Sequence, residues 1–327
     1  MTRKLTFGYL FDFRNPQQWY KPWDKRYAEI LDVAVWTEQA GFGAAWVPEH
    51  HLAADGYLPS PLVAASAIAA RTTRVKLGPW IALGPLYHPT RFATDCAVLD
   101  IISGGRLEIG LGIGYRKEEY SALGVEFSKR GGLFDEWLQI VTRLWAGETL
   151  DYAGQHYQLE GVKMMPPAPR GRIPLYIGGF TPKAIDRALT YADGYVGVPE
   201  GAAIYMHKLR EKGRDPNEGK VRIGDFFTVV AHDPEAAMDE LAPYFLYVVN
   251  SYAEWGGEGM ESMTLEEIKT NGKLKIMTPD AAIAMYKDMQ ERMPLNHVAM
   301  MMPPGIPAER FVHYAQLFAD EVLPEFV

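Results

Sequence analysis

The chain has 327 residues, of which 48% are hydrophobic and 23% charged, as is typical of a folded globular protein. Its formal charge of −8 argues against a nucleic-acid-binding surface. The single cysteine, Cys96, excludes an internal disulfide and a metal site built from several thiolates. No stretch approaches the roughly 18 apolar residues of a membrane span, and Asp12 and Arg14 interrupt the apolar N-terminal run that a signal peptide needs. We therefore expect a soluble, cytoplasmic protein.

Short apolar runs alternate with longer amphipathic stretches, which predicts strands followed by helices. Strands are predicted at residues 5–11, 44–47, 75–83, 107–111, 173–177, 195–198, 223–231 and 297–302. The helices that follow them are predicted at residues 24–40, 60–71, 89–102, 133–146, 182–192, 202–212, 234–248 and 307–317. Eight such units are the number in a (β/α)8 TIM barrel, which we expect to form one α/β domain over residues 1–327. A doubly wound open sheet is the alternative, because a sequence pattern does not show closure.

Two segments fall outside this repeat. Residues 149–162, with Gly154 at the turn, predict a β-hairpin insertion. A second insertion covers residues 251–292, before the last strand. Its first part is rich in Glu, Gly and Met and is expected to be mobile, whereas residues 279–292 predict a further helix.

The most informative segment is Trp46-Val47-Pro48-Glu49-His50-His51, which begins in a predicted strand and runs past its carboxyl end. In folds of parallel strands this edge carries ligands and chemistry, and an imidazole there can act as an acid, a base or a hydrogen-bond donor. Successive side chains of a strand point to opposite faces, so we expect His50 and His51 to diverge. No histidine pair has convergent metal-ligand spacing, and no metal is expected. His51 is interpreted as structural, and for His50 the structural and catalytic interpretations both stay open.

Glycines mark two more strand ends. Gly178-Gly179-Phe180-Thr181-Pro182 joins a predicted strand to a helix for which Thr181 is a candidate N-cap. Such a turn is either a phosphate site, formed by free helix amides and a hydroxyl, or an ordinary tight connection. The glycines at 110, 112 and 114 do not complete a dinucleotide-binding pattern, since Tyr115 and Lys117 stand where its last glycine is required. We interpret them as clearing a strand tip for a flat ligand.

Taken in order, these segments resemble the bacterial luciferase-like family of flavin-dependent monooxygenases. The resemblance lies in residues 46–51, 77–89, 99–106, 112–120 and 173–182. Its most specific parts are Ser-Gly-Gly-Arg at 103–106 and Gly-Tyr-Arg-Lys-Glu-Glu-Tyr at 114–120. It extends from the first strand to Val322-Leu323-Pro324 and weakens after about residue 215.

The resemblance implies a (β/α)8 barrel that binds reduced flavin at the carboxyl ends of its strands. It implies that His50 is the catalytic histidine, and that Trp80 and Ile81 form a non-proline cis peptide against the flavin ring. Gly179, Phe180 and Thr181 match the flavin phosphate loop of the family. The luciferase arginine that reaches this phosphate is replaced here by Ile113, so another cation, such as Lys183, would have to substitute.

The function expected from these observations is a two-component flavin-dependent monooxygenase. It would use reduced FMN and O2 to oxygenate a small, apolar organic substrate, and a separate NAD(P)H:flavin reductase would supply the reduced flavin. Phe11 and Met301, at the tips of the first and last strands, are candidates for the substrate wall. We also expect a homodimer, as is common for barrels of this family.

The sequence leaves two alternatives open. An F420-dependent oxidoreductase of the same superfamily transfers hydride without oxygen, and the missing arginine keeps this alternative open. A non-catalytic partner subunit, as in the luciferase heterodimer, is the second, but that subunit lacks the histidine found here at His50.

Overall fold

The computed structural model describes residues 4–256 and 261–326. Its strands are β1 (Thr6–Phe11), β2 (Ala44–Val47), β3 (Lys76–Pro79), β4 (Ala82–Leu83), β5 (Ile109–Gly112), β6 (Thr149–Ala153), β7 (Gln158–Lys163), β8 (Leu175–Ile177), β9 (Gly194–Gly197), β10 (Val221–Gly224), β11 (Thr228–Val230), β12 (Lys275–Met277) and β13 (Leu295–Met302). Its helices are α1 (Trp23–Gln39), α2 (Pro61–Arg71), α3 (Pro89–Ile102), α4 (Lys117–Ala122), α5 (Arg130–Trp145), α6 (Pro182–Tyr191), α7 (Pro199–Glu211), α8 (Pro234–Glu254), α9 (Leu265–Thr270), α10 (Pro279–Arg292) and α11 (Ala308–Glu321).

The main sheet is a parallel barrel, as the strand count predicts. Its order is β3-β2-β1-β13-β10-β9-β8-β5-β4, and β3 and β4 are the two halves of one interrupted strand. The barrel closes between this strand and β5, because Leu77 bridges Leu107 and β4 pairs with β5. The sheet is therefore not the doubly wound open alternative.

The alternation of side chains along the strands separates two buried clusters. One fills the inside of the barrel and includes Leu10, Trp46, Trp80, Tyr176 and Met301. The larger one lies between the sheet and the surrounding helices, and it contains the thiol residue Cys96. This is the layered packing that makes the barrel a filled core with its chemistry confined to one end.

A buried hydrogen-bonded chain links Trp46 of β2, His297 of β13 and Thr6 of β1. The Trp46 indole donates to Nε2 of His297 over 2.8 Å, and Nδ1 of His297 lies 2.8 Å from Oγ1 of Thr6. Burial and the nearby Arg222 hold the pKa of His297 well below its ordinary value of 6.5. The ring is therefore neutral, so Nδ1 donates to Thr6 while Nε2 accepts from Trp46.

Several helices begin with a capping residue followed by proline. The side chains of Thr181, Asp233 and Thr278 each accept a hydrogen bond from the amide three residues later, and a proline follows each of them. Proline suits the first helical position because its missing N–H would have no intrahelical partner there. The N-cap predicted at Thr181 is confirmed.

Two predicted strands are corrected. The strand predicted at 75–83 is interrupted at the Trp80–Ile81 peptide. The strand predicted at 223–231 is two strands, of which β10 belongs to the barrel and β11 pairs with β12 in a separate small sheet. Both predicted strands were read as single elements because their apolar runs continue through the breaks.

The two insertions differ in how well the pattern predicts them. The hairpin predicted at 149–162 is present as β6 and β7. The second insertion is more regular than expected, because α8 continues to Glu254 and α9 and β12 follow later. Residues 257–260, in the part predicted to be mobile, lie outside the described residues. Within residues 4–256 and 261–326, no helix is long and apolar enough to span a membrane.

Candidate active site

The candidate site is built around His50 at the carboxyl-terminal end of the barrel. His50 follows β2, and the loop that it begins also supplies Tyr57. Glu119 comes from the first turn of α4, just after β5, and Tyr252 from the end of α8. Loops after parallel strands meet at this end, which is why residues distant in sequence converge here.

Glu119 holds the His50 ring in place. Its Oε1 lies 2.9 Å from Nδ1 of His50 and accepts hydrogen bonds from the His51 amide at 2.9 Å and the Arg116 guanidinium at 3.2 Å. Burial alone would raise the pKa of Glu119, but the hydrogen bond and charge of His50, the His51 amide and Arg116 lower it below its ordinary value of 4.5. Glu119 is therefore a carboxylate at neutral pH, Nδ1 of His50 is the donor, and Nε2 is the ring nitrogen left for a ligand.

His51 has a separate, structural role. Its Nε2 lies 2.8 Å from Oε1 of Glu49, which also accepts from the Tyr87 hydroxyl at 2.7 Å. The second oxygen of Glu49 accepts from the Leu83 amide at 2.9 Å, so this carboxylate ties β2 to the interrupted third strand. The two histidines diverge, as the alternation of side chains along a strand predicts, and His51 makes the structural contact expected of it.

Aromatic side chains surround the His50 imidazole. The ring centroids of Tyr57, Trp255, Tyr115 and Tyr252 lie 4.7, 5.4, 5.7 and 5.9 Å from that of His50. Four aromatic neighbours exclude water from much of the ring and leave a mainly apolar lining with few polar groups.

The arginines that approach His50 are bound within the protein. Arg14 is fully buried and binds Asp12 with both Nε and Nη2, the latter at 2.6 Å. Arg116 binds Glu119 and the His51 carbonyl, and its guanidinium lies 4.5 Å above the Trp255 ring. Among the described residues Nη1 of Arg14 has no hydrogen-bond partner but is buried, and Arg116 is held by two acceptor oxygens.

The Trp80–Ile81 peptide is cis, as the resemblance implies. The Trp80 indole lies inside the barrel, 5.3 Å from the Trp46 ring. A Cβ on Gly110 would lie 2.9 Å from the Ile81 side chain, and one on Gly112 would lie closer still. The two glycines therefore make room for Ile81, rather than clearing the strand tip for a ligand directly.

The loop after β8 has the shape expected for a phosphate site. Gly179 has φ = +135°, and a Cβ there would lie 2.7 Å from that of Ala184. The Thr181 hydroxyl accepts from the Ala184 amide at 3.3 Å, while Phe180 and Lys183 are exposed. A glycine-lined turn at the start of a ten-residue helix fits a phosphate, because backbone approaches without hindrance and the helix end favours negative charge.

Cations near this loop are few. Ile113 is half-buried where the luciferase arginine would stand. Arg187 of α6 binds Asp135 at 2.6 Å and the Gly131 carbonyl, so its charge is already paired. Lys183, in the first turn of α6, is the exposed cation on that turn.

The substrate-wall prediction for Phe11 is corrected, and that for Met301 stays a prediction. Phe11 is fully buried in the cluster between sheet and helices, whereas Leu10 occupies the inner face. Met301 lies in the inner cluster. A shift of one residue along a strand changes the face, and the chemistry of the Phe11 side chain could not indicate which face it takes.

Sequence reasoning did not assign roles to several residues of the site. Glu119 and Arg116 lie in the 114–120 segment that carries the resemblance, so their position was indicated but their contacts were not. Tyr252 and Trp255 lie in the second insertion, where no sequence signal connects them to His50. Among the described residues, no group of three His, Cys, Asp or Glu side chains is arranged to hold a metal ion.

The fold agrees with the sequence comparison that defines the family. The model of the luciferase-like monooxygenases matches residues 5–317, and the chain belongs to this family of oxidoreductases. An F420-dependent glucose-6-phosphate dehydrogenase from Amycolatopsis mediterranei (strain U-32) is 28% identical over 319 residues, which cover 91% of this chain and 94% of that protein.

Solved structures show the same fold at lower sequence identity. Monooxygenase RslO1 from Streptomyces bottropensis has a TM-score of 0.86 and 24% identity, and the match covers 99% of this chain and all of RslO1. The oxygenating constituent of 3,6-diketocamphane monooxygenase from Pseudomonas putida, solved with FMN, has a TM-score of 0.77 and 16% identity, over 100% of this chain and 99% of its own.

Proposed function

We propose that this protein is a flavin-dependent monooxygenase that uses reduced FMN and O2 to oxygenate a small apolar organic molecule. Bound at this site, reduced FMN would supply the two electrons for the reaction of O2, one oxygen atom of which enters the substrate while the other leaves as water. The non-catalytic partner subunit is a weaker candidate, because the His50–Glu119 pair is present.

The observation that carries the proposal is the aromatic enclosure of His50. Tyr57, Tyr115, Tyr252 and Trp255 surround the imidazole, and the approaching Arg14 and Arg116 are bound to carboxylates. A sugar phosphate needs a cation or several free donors, whereas a neutral apolar molecule needs a dry wall. Exclusion of water also protects reactive oxygen chemistry from side reactions.

The chain's own residues then have distinct tasks. Gly179, Phe180 and Thr181, with the start of α6, would hold the flavin phosphate, and Lys183 would add charge. Trp80 and Ile81 would support the flavin ring. Glu119 fixes the His50 ring, so that Nε2 can hold or move a proton at an oxygen atom of the substrate. Met301 would contribute to the apolar wall beneath it.

Two partners belong to this proposal. A separate NAD(P)H:flavin reductase would supply reduced FMN. The chain would also form a homodimer, for which α3 offers Val98, Ile101 and Ile102, all exposed by 40% or more. Size-exclusion chromatography with light scattering tests the dimer: a dimeric mass supports it, and a monomer at micromolar concentration contradicts it.

F420-dependent hydride transfer is the second candidate. It is favoured by the relative from Amycolatopsis mediterranei, named an F420-dependent dehydrogenase, and by Ile113 in place of the luciferase arginine. Parallel anaerobic titrations with FMN and F420, followed by oxygen uptake with the reduced cofactor, separate the candidates. Tighter binding of FMN with oxygen uptake that depends on an organic substrate supports the monooxygenase. Binding of F420 alone, without oxygen uptake, contradicts it.

A further inference from the structure

We propose that the hydroxyl groups of Tyr57 and Tyr252 form a subsite that binds a single oxygen atom of the substrate, and that the substrate is therefore an apolar molecule carrying a carbonyl or hydroxyl group. This deepens the proposed function by naming the substrate class. The two hydroxyl oxygens lie 2.7 Å apart, although the residues are 195 positions apart in the chain.

The pair lies directly against the candidate catalytic histidine. The Tyr57 ring meets the His50 ring edge to face at 4.7 Å, and the Tyr252 ring lies 5.9 Å from it. Tyr57 is 3% exposed, whereas Tyr252 is partly exposed. A ligand group that reaches Nε2 of His50 would therefore be within the same enclosure as the hydroxyl pair.

The pair has one hydrogen atom to give. When two hydroxyls bond to each other, one donates and the other keeps its own hydrogen. In the described ranges, their mutual bond is the one side-chain hydrogen bond that either hydroxyl makes. The pair thus adds one O–H donor to a largely aromatic lining, which favours a molecule that carries an acceptor oxygen on an apolar frame.

Arg14 packs against the rings of both tyrosines. Its guanidinium lies 4.7 Å above the Tyr57 ring and 5.9 Å from the Tyr252 ring, and it is fixed by two bonds to Asp12. Arg26 in turn donates to the carbonyl groups of Asp12 and Arg14. Burial raises the pKa of both Tyr57 and Tyr252 above its ordinary value, so both hydroxyls keep their protons at neutral pH and one O–H is available to donate.

The test compares ligand pairs of equal shape, in which C=O is replaced by C=CH2. The probes are cyclohexanone with methylenecyclohexane, acetophenone with α-methylstyrene, and 2-decanone with 2-methyl-1-decene. Dissociation constants are measured by ligand-observed NMR, with and without oxidised FMN. We expect at least one ketone to bind about tenfold more tightly than its hydrocarbon partner, the effect of one net hydrogen bond.

The variants separate binding from structural support. In Tyr57→Phe/Tyr252→Phe the ketone preference should fall below about twofold, because both hydroxyls are gone. Tyr244→Phe, on the same helix and outside the site, should keep the preference. No preference in the wild-type protein, or a preference retained in the double variant, overturns the proposal. The subsite is made by the chain alone, so failure of FMN to bind would contradict the proposed function without deciding this test.

Discussion

Glu119 and His50 are 69 positions apart in the chain, yet Oε1 of Glu119 lies 2.9 Å from Nδ1 of His50 inside a buried network. The same oxygen accepts from the His51 amide and from Arg116, so three donors hold the carboxylate in its charged form. The orientation of the imidazole is thus set by α4 as much as by the strand that carries His50.

Glu119→Gln should impair turnover without removing the fold. The amide keeps the size of the side chain, but it lacks the negative charge that faces Nδ1 of His50 and holds the ring in place. We expect kcat to fall by about 10²-fold. Glu118→Gln, at the exposed neighbouring position, is the control. Equal kcat values for the two variants would show that the contact is only structural.

Gly179→Ala should weaken FMN binding and spare riboflavin. The new Cβ would collide with Ala184, and an alanine is strained at the φ of +135° that Gly179 adopts. Both effects displace the turn expected to hold the phosphate. We expect the dissociation constant of FMN to rise at least about tenfold, and that of riboflavin to change less than about twofold. Gly171→Ala, also at positive φ but with open space around it, is the matched control. Equal losses for both ligands would mean that the phosphate lies elsewhere.

The folding stability of the protein should fall in mildly alkaline solution, because His51 loses its proton there. Burial acts to lower the pKa of His51, but its hydrogen bond to Glu49 and the charge of that residue outweigh burial and raise the pKa above 6.5. The stabilisation is complete below pH 6.5 and is lost as pH rises through the folded-state pKa. His51→Gln should flatten the decline in Tm between pH 6.5 and 9, whereas the exposed His88→Gln should not. An unchanged slope in His51→Gln would contradict this assignment.

Arg106 should matter for stability and not for cofactor binding. It is buried and donates to the carbonyl groups of Ala69, Thr72, Val75 and Ser103, as well as to the Thr72 hydroxyl. Arg106→Met should lower the free energy of unfolding by about 3–5 kcal/mol, since several buried acceptors lose their donor. Denaturant unfolding measures this loss. A stability within about 1 kcal/mol of wild type, with weaker FMN binding, would instead place Arg106 in the site.

Arg106 also shows what the sequence could and could not predict. Its Ser-Gly-Gly-Arg segment carries the family resemblance, but the segment fastens the end of α2 to the turn before β5. The strands and helices could be predicted from the spacing of apolar residues, because that spacing reflects the local backbone geometry. The partners of a side chain depend on elements that are far apart in sequence, so a local pattern does not predict them.

Phe11 and Tyr252 show two ways in which prediction from the sequence failed. Phe11 was placed at the correct strand end but on the wrong face, because one residue of phase decides between the barrel interior and the helix layer. Tyr252 reaches the site because α8 runs on to Glu254, past the end that the apolar pattern predicted. His50, by contrast, was singled out by its position at a strand end, and the family resemblance then implied its catalytic role.

The most direct test of the proposed function is a single-turnover experiment with His50→Ala, mixed with reduced FMN, O2 and an accepted ketone. We expect at least about 100-fold slower product formation, with the dissociation constant of FMN within about twofold of wild type. His207→Ala, on the exposed face of α7, is the control and should retain wild-type rates. Product formed by His50→Ala at a near-normal rate would show that this imidazole does not act at the mouth of the barrel.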